Sequence, residues 1–287
     1  MTVSGFTFIR NGVRFDYPFL ESIHSLLPLV DELVVAVGDS DDGTRDRLKS
    51  VRSPKIRLID SIWDPAERQG GTILAQQTNI ALNQTTGDWA FYLQGDEVLH
   101  EADCDIIQSR LAQAHSDERI EGLLFDYAHF YGSYDWVGNS RRWYRREVRL
   151  FRNRAGVRSW GDAQGFRREG KKLNVRHIPA RIFHYGWVKP PKAQQDKLRS
   201  FHRLWHADEW VQNEVGNAPE YSYADGGRLR EFQGAHPSVM AERVARQDWT
   251  FEYDPRRVRI RLKDRLLDAV EDLTGYRVGE YRNYKLL

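Results

Sequence analysis

The sequence predicts an α/β fold, with a mostly parallel central sheet flanked by helices and a mainly helical C-terminal extension. Three observations carry that expectation. Apolar runs of strand length alternate with stretches of helical period through the first 93 residues, turn-forming residues punctuate them, and one run ends abruptly in an acid. That run is Asp88 to Asp96, Asp-Trp-Ala-Phe-Tyr-Leu-Gln-Gly-Asp, followed by Glu97. An acid so placed stands at the carboxyl end of a buried strand, where open α/β sheets bind ligands. It serves either as an oxygen ligand for Mg²⁺ or Mn²⁺ or as a helix N-cap.

In chain order, Val3 to Ile9 reads as the first strand and closes at Arg10-Asn11-Gly12. Pro18 suits the first turn of a helix, in which Phe19, Leu20, Ile23, Leu26 and Leu27 repeat at helical spacing. Leu33 to Val37 is a second strand, followed by Gly38-Asp39-Ser40-Asp41-Asp42-Gly43-Thr44 and a helix through Leu48. Ile56 to Ile59, Ile73 to Leu82 and Trp89 to Leu93 give strand, helix and strand again. The Asp- and Ser-rich turn can hydrogen-bond a nucleoside, and it is equally an ordinary capping sequence. No Gly-x-Gly-x-x-Gly follows the first strand and no phosphate-binding Gly-x-x-x-x-Gly-Lys-Ser/Thr occurs, which argues against dinucleotide-binding and P-loop chemistry.

Composition narrows the class. With 287 residues and 40% hydrophobic content the chain can bury a substantial core. Its 43 Lys and Arg against 41 Asp and Glu leave a formal charge of +2, too little for a nucleic-acid binder held by global charge. The single Cys104 excludes an internal disulfide framework, and the N-terminus lacks a charged-then-apolar signal, so a cytoplasmic location is expected. No apolar run approaches the ~20 residues that cross a bilayer. Nine Trp residues read first as core fillers.

The order of motifs is more specific than any one of them. Arg10-Asn11 after the first strand, Gly38 to Thr44 after the second, Gln76, Gln77 and Asn79 on a helix, then Thr86-Gly87-Asp88-Trp89 leading to Gln94-Gly95-Asp96-Glu97, resemble the family 2 glycosyltransferases of GT-A, Rossmann-like fold. The resemblance spans roughly residues 3 to 190. It implies a metal-dependent transfer of sugar from a nucleoside diphosphate sugar, a UDP-sugar favoured, to a glycan, lipid-linked or other hydroxyl acceptor. A nucleic-acid acceptor is disfavoured. It further implies donor contacts from Arg10, Asn11, Asp39, Asp41, Asn79, Gln94, Gly95 and Asp96, with Mn²⁺ or Mg²⁺ on Asp96. Gln94 stands where the family's Asp-x-Asp motif has its first acid, and Glu97 is a candidate to supplement it.

The second half offers the remaining parts. Ile120 to Phe130 and Glu147 to Phe151 read as strands, and the aromatic run Phe130 to Trp136 reads as an acceptor shelf or a packed corner. By resemblance the segment after Arg149-Leu150-Phe151 supplies the base of an inverting transfer, which selects Asp162 within Trp160-Gly161-Asp162-Ala163-Gln164-Gly165; its flanking glycines also fit a plain turn. His184, ending a strand from Ala180 to Tyr185, resembles the late metal or diphosphate ligand of several GT-A enzymes. Lys189, Lys192 and Lys197 can reach phosphates or form a solvated face.

The expected division is residues 1–190 as the catalytic domain, with a nucleotide-sugar half of about 1–100 and an acceptor half of about 101–190, and residues 191–287 as an extension packed on it. Residues 213–235 read as a loop and 237–247 as a short helix. The basic tail carries Arg256, Arg257, Arg259, Arg261, Lys263 and Arg265 before an amphipathic stretch, and suits either peripheral contact with the inner face of a membrane or a docked helix with solvated arginines. Two other classes stay open: a noncatalytic sugar-nucleotide or glycan-binding protein, to which Gln94 lends weight, and a nucleotidyltransferase.

Overall fold

The first strand, β1 (Val3–Ile9), is buried along nearly its whole length, which its apolar side chains on both faces predict. A computed structural model of the chain describes residues 1–64, 70–216, 218–258 and 261–287. Arg259 of the basic tail, and the side chain of Arg257, lie outside the described residues. After β1 come α1 (Phe19–Leu26), β2 (Glu32–Val37), α2 (Thr44–Ser50), β3 (Ile56–Asp60), α3 (Thr72–Leu82) and β4 (Trp89–Tyr92). These strands lie parallel in the order β3-β2-β1-β4, as short βαβ crossovers require.

The chain then adds β5 (Glu97–Leu99), α4 (Cys104–His115), β6 (Gly122–Tyr131), β7 (Trp136–Gly138), β8 (Arg146–Arg152), β9 (Val157–Trp160), β10 (Gly165–Arg168), β11 (Lys171–Lys172) and β12 (Asn174–Trp187). β8 pairs antiparallel with both β4 and β6, so β6 runs in the direction of β4, and β12 runs parallel to β6. The result is the α/β architecture expected from the sequence, with antiparallel strands set into a mostly parallel central sheet. The small sheet β9-β10-β11 was not anticipated; strands of two to four residues are too short to show a period.

Alternation along β2 separates two faces. Leu33, Val35 and Val37 join Ile23 and Leu26 of α1 and Ile107 and Leu111 of α4 on one side, while Val34 and Ala36 join Ala81 and Leu82 of α3 and Phe166 of β10 on the other. Each fully buried Val, Leu, Ile or Phe among them contributes roughly 1.5–3 kcal/mol of hydrophobic stabilisation. The expected strand from Ala180 to Tyr185 is the second half of the longer β12. Its register with β6 breaks between His177 and Arg181, around Pro179, which has no N–H for the ladder and hides the continuity of the strand.

Beyond β12 lie α5 (Pro191–His202), α6 (Asp208–Trp210), β13 (Leu229–Glu231), α7 (Ala241–Ala245), α8 (Leu262–Thr274) and β14 (Lys285–Leu286). Two of these return to the main sheet: β13 pairs with β7 and β14 with β12. The aromatic run after β6 is a packed corner. Phe130 stacks on Tyr185 with ring centroids 4.7 Å apart, and Tyr131 and Tyr134 are buried among other rings. His206 stacks on Trp210 at 3.7 Å, and His202, one helical turn before it, lies 5.4 Å from the same Trp210 ring, so both histidines pack against an aromatic. No described helix is long and apolar enough to cross a membrane.

Candidate active site

The carboxyl ends of β1, β4 and β12 converge, and there a cavity of about 330 Å³ opens. Arg10, Gln94, Gly95, Asp96, Asp162 and His184 line it, so six of the residues selected from sequence meet in one place. Topology accounts for the meeting. In the antiparallel pair of β5 and β12, His184 stands opposite Glu97, and the Tyr185 N–H donates to the Asp96 carbonyl at 2.8 Å.

Asp96 is almost wholly buried, its Oδ2 3.7 Å from His184 Nε2 and 3.5 Å from Lys197 Nζ. Burial opposes its ionisation, yet His184 when protonated, together with Lys197 and Lys189, holds the carboxyl below its usual range, so Asp96 is a carboxylate at neutral pH. Burial and the charges of Lys197 and Arg149 lower His184 against the opposing pull of Asp96 and Glu97, which keeps the imidazole neutral.

A second histidine fixes the proton on the first. His129 Nε2 lies 2.8 Å from the Tyr144 carbonyl, which can only accept, so that nitrogen carries the proton. Burial keeps His129 neutral, and its bare Nδ1 therefore accepts from the Nδ1–H of His184 at 2.9 Å. His184 Nε2 is left as a lone pair facing the Asp96 carboxylate. Two acceptors so opposed require a cation, and the Lys197 ammonium, also donating to the Gly186 carbonyl at 2.7 Å, answers part of that requirement. The pair fits a divalent ion as two ligands. Among the described residues no group of three or more His, Cys, Asp or Glu gathers as a metal site, so phosphate and water would fill the other positions.

Glu97 takes no part in the cavity. Its carboxylate accepts from Arg149 Nε and Nη2 at 2.9 and 2.8 Å, from Tyr127 Oη at 2.8 Å and from the Gln94 N–H at 3.0 Å, which corrects the expectation that it supplements Gln94. Arg149 also donates to the Gln164 carbonyl at 3.1 Å, tying this buried pair to the β9–β10 turn that carries Asp162. Gly161 and Ala163, on either side of Asp162, have φ of 63° and 66°, the left-handed turn that the flanking glycine suggested.

The other selected residues do not line the cavity. Asn11 adopts φ 51° and its N–H donates to Ser40 Oγ at 2.9 Å, joining the ends of β1 and β2. Asp39 pairs with Arg10 at 3.0 Å, and the Arg10 guanidinium lies over Trp63 at 5.0 Å. Asp41 pairs with Arg14 at 2.6 Å on the surface, and the Asn79 side-chain oxygen accepts from the Ser159 N–H at 2.8 Å.

Lys189 and Lys197 overturn the reading of a solvated face. Lys189 is wholly buried and donates to the Phe15 carbonyl at 2.8 Å, and its ammonium lies 4.1 Å from the centre of the Tyr17 ring. Lys192 alone is exposed, as expected of a solvated face. The signal for Lys197 was present: it shares a helical face with Gln194, Leu198 and Phe201, which all border the cavity. Nothing local marks His129, whose role comes from its register with His184 across β6 and β12.

No family model matches the chain, and no curated protein matches it. Among solved structures it is similar to S. aureus TarS at 16% identity, covering 70% of this chain and 39% of that one with a TM-score of 0.40. It is also similar to TarS 1–349 in complex with UDP-GlcNAc, at 12% identity, 75% and 70% coverage and a TM-score of 0.39. A third is glucosyl-3-phosphoglycerate synthase from Mycobacterium tuberculosis in complex with Mn²⁺, UDP and phosphoglyceric acid, at 20% identity, 45% and 43% coverage and a TM-score of 0.30. The chain thus spans well under half the length of the TarS and synthase chains named first and last. The class of the fold rests on its own strand order, and the chemistry on the cavity.

Proposed function

We propose that the chain is a metal-dependent glycosyltransferase that moves a sugar from a nucleoside diphosphate sugar, a UDP-sugar favoured, to an acceptor hydroxyl with inversion. The observation that carries this reading is the Asp96 carboxylate facing the lone pair of His184 at 3.7 Å, beside Lys197 and at the carboxyl edge of a parallel sheet. The order of motifs shared with family 2 glycosyltransferases supports it from the sequence.

In this reading Arg10 and Lys197 present positive charge to the donor diphosphate, and Asp96 with His184 would hold Mn²⁺ or Mg²⁺. When bound, the ion would supply Lewis-acid stabilisation of the charge that develops on the departing diphosphate. Asp162 takes the proton of the acceptor hydroxyl as the new bond to the anomeric carbon forms and the bond to the diphosphate oxygen breaks. A glycan, a lipid-linked sugar or another hydroxyl compound fits as acceptor.

The test is a thermal-shift screen of nucleoside diphosphates with and without Mn²⁺. A ligand that binds only the folded chain raises its Tm. The reading expects a shift with UDP that grows with Mn²⁺ and disappears in Asp96→Ala. No shift with any diphosphate rejects it. A shift without turnover of any donor and acceptor pair would favour the noncatalytic binder, the reading that Gln94 supports.

A further inference from the structure

Helix α8 docks with its faces reversed. Leu262, Leu266, Val270 and Leu273 recur at the spacing of one helical face, the face an amphipathic helix normally turns to a core. Here they are 73%, 62%, 41% and 87% exposed, and no residue of the helix is buried. The opposite, acidic face holds the helix to the body. Glu271 accepts from Arg141 at 3.2 Å, Arg145 at 3.0 Å and Arg277 at 2.8 Å, and Asp268 pairs with Arg228. The apolar stripe continues into exposed Tyr276, Val278 and Tyr281.

We propose that this outward face is a docking surface for an anionic lipid bilayer, with Leu262, Leu266, Val270 and Leu273 entering the boundary of headgroups and acyl chains. Charge complementarity selects the partner. Asp268 and Glu271 are turned inward against arginines, while Arg261, Lys263 and Arg265 remain exposed beside the leucines. The stripe is therefore rimmed by cations around the first turns of the helix, with Asp272 the one exposed acid of the helix, near its other end; a cationic rim beside an apolar stripe is the arrangement of a helix lying in a membrane interface. A second copy of the chain across the same face would bring like-charged rims together. Nucleic acid would leave the leucines in water. The helix is about 20 Å long, enough to lie along the surface and too short to span it. This inference stands apart from the proposed catalytic activity.

The test is co-sedimentation of the full chain with phosphatidylcholine vesicles and with vesicles of equal parts phosphatidylcholine and phosphatidylglycerol. The expected result is binding to the second kind that weakens with added salt and falls about tenfold or more in Leu266→Glu/Leu273→Glu. Both positions are exposed, so the variant keeps the Tm of the parent chain and its Tm shift with UDP and Mn²⁺. Replacing Arg261, Lys263 and Arg265 with Gln abolishes the preference for anionic vesicles. Absence of binding, equal binding to both vesicles, or undiminished binding by the leucine variant overturns the proposal. So does a dimer, seen by light scattering, that the leucine variant dissolves.

Discussion

Gly186 shows how little room the reacting end of the cavity leaves. A Cβ on this residue would lie 2.7 Å from both Asp96 Oδ2 and His184 Nε2, between the two groups assigned to the cation. Its φ lies outside the left-handed region, so the constraint is the space and not the backbone. Gly186→Ala is therefore predicted to abolish the Mn²⁺-dependent part of the Tm shift with UDP while changing the Tm of the free protein little. A second residue-scale prediction concerns Glu147, pushed by burial from 4.5 to about 8, with Oε2 buried and no hydrogen-bond partner. Between those values the folded chain keeps a proton that the unfolded chain releases, so this group's contribution to stability is full below pH 4.5 and is lost as the pH rises towards 8. Glu147→Gln should flatten the fall in Tm across that interval and raise Tm at its upper end; an unchanged profile would mean that Glu147 ionises normally.

At the scale of elements, the pair Arg149–Glu97 joins β8 to β5 from within the core, both side chains wholly buried. Removing one partner strands a charge, so Arg149→Met is predicted to cost about 3–5 kcal/mol in urea unfolding, with Glu97→Gln in the same chain restoring part of it. What the sequence showed, and what it hid, also divides by element. The strands β1 to β4 were legible because each is a short stretch rich in β-branched and aromatic residues bounded by turn residues, and the helix beginning at Pro191 was marked by its proline. β5 was hidden because Glu97 reads as a surface acid until Arg149 is brought beside it from 52 residues away. The site was legible to the same degree. Asp96, Asp162 and His184 sit at strand ends and turns, where local pattern points to them, and Lys197 lies on a helical face that the spacing shows, whereas His129 acquires its part only through pairing.

For the whole molecule, the division expected at residue 190 describes the order of the chain better than its packing. Lys197 and Phe201 of α5 border the cavity, and β14 returns to pair with β12. Tyr284 is buried among Phe151, Phe166 and Val175 of the sheet, and the Arg167 side chain donates to the Asn283 carbonyl at 2.6 Å. The residues after 190 thus close one side of the site and brace the strand that leads from Asp162.

The measurement that bears most directly on the catalytic reading is release of nucleoside diphosphate from a panel of sugar donors, with Mn²⁺ present and a mixture of hydroxyl acceptors supplied. The parent chain is predicted to release diphosphate from one donor, and Asp96→Asn to slow that release by at least about a hundredfold while unfolding at the same temperature. Release at the parent rate by Asp96→Asn would contradict the assignment of that carboxylate and the mechanism built around it.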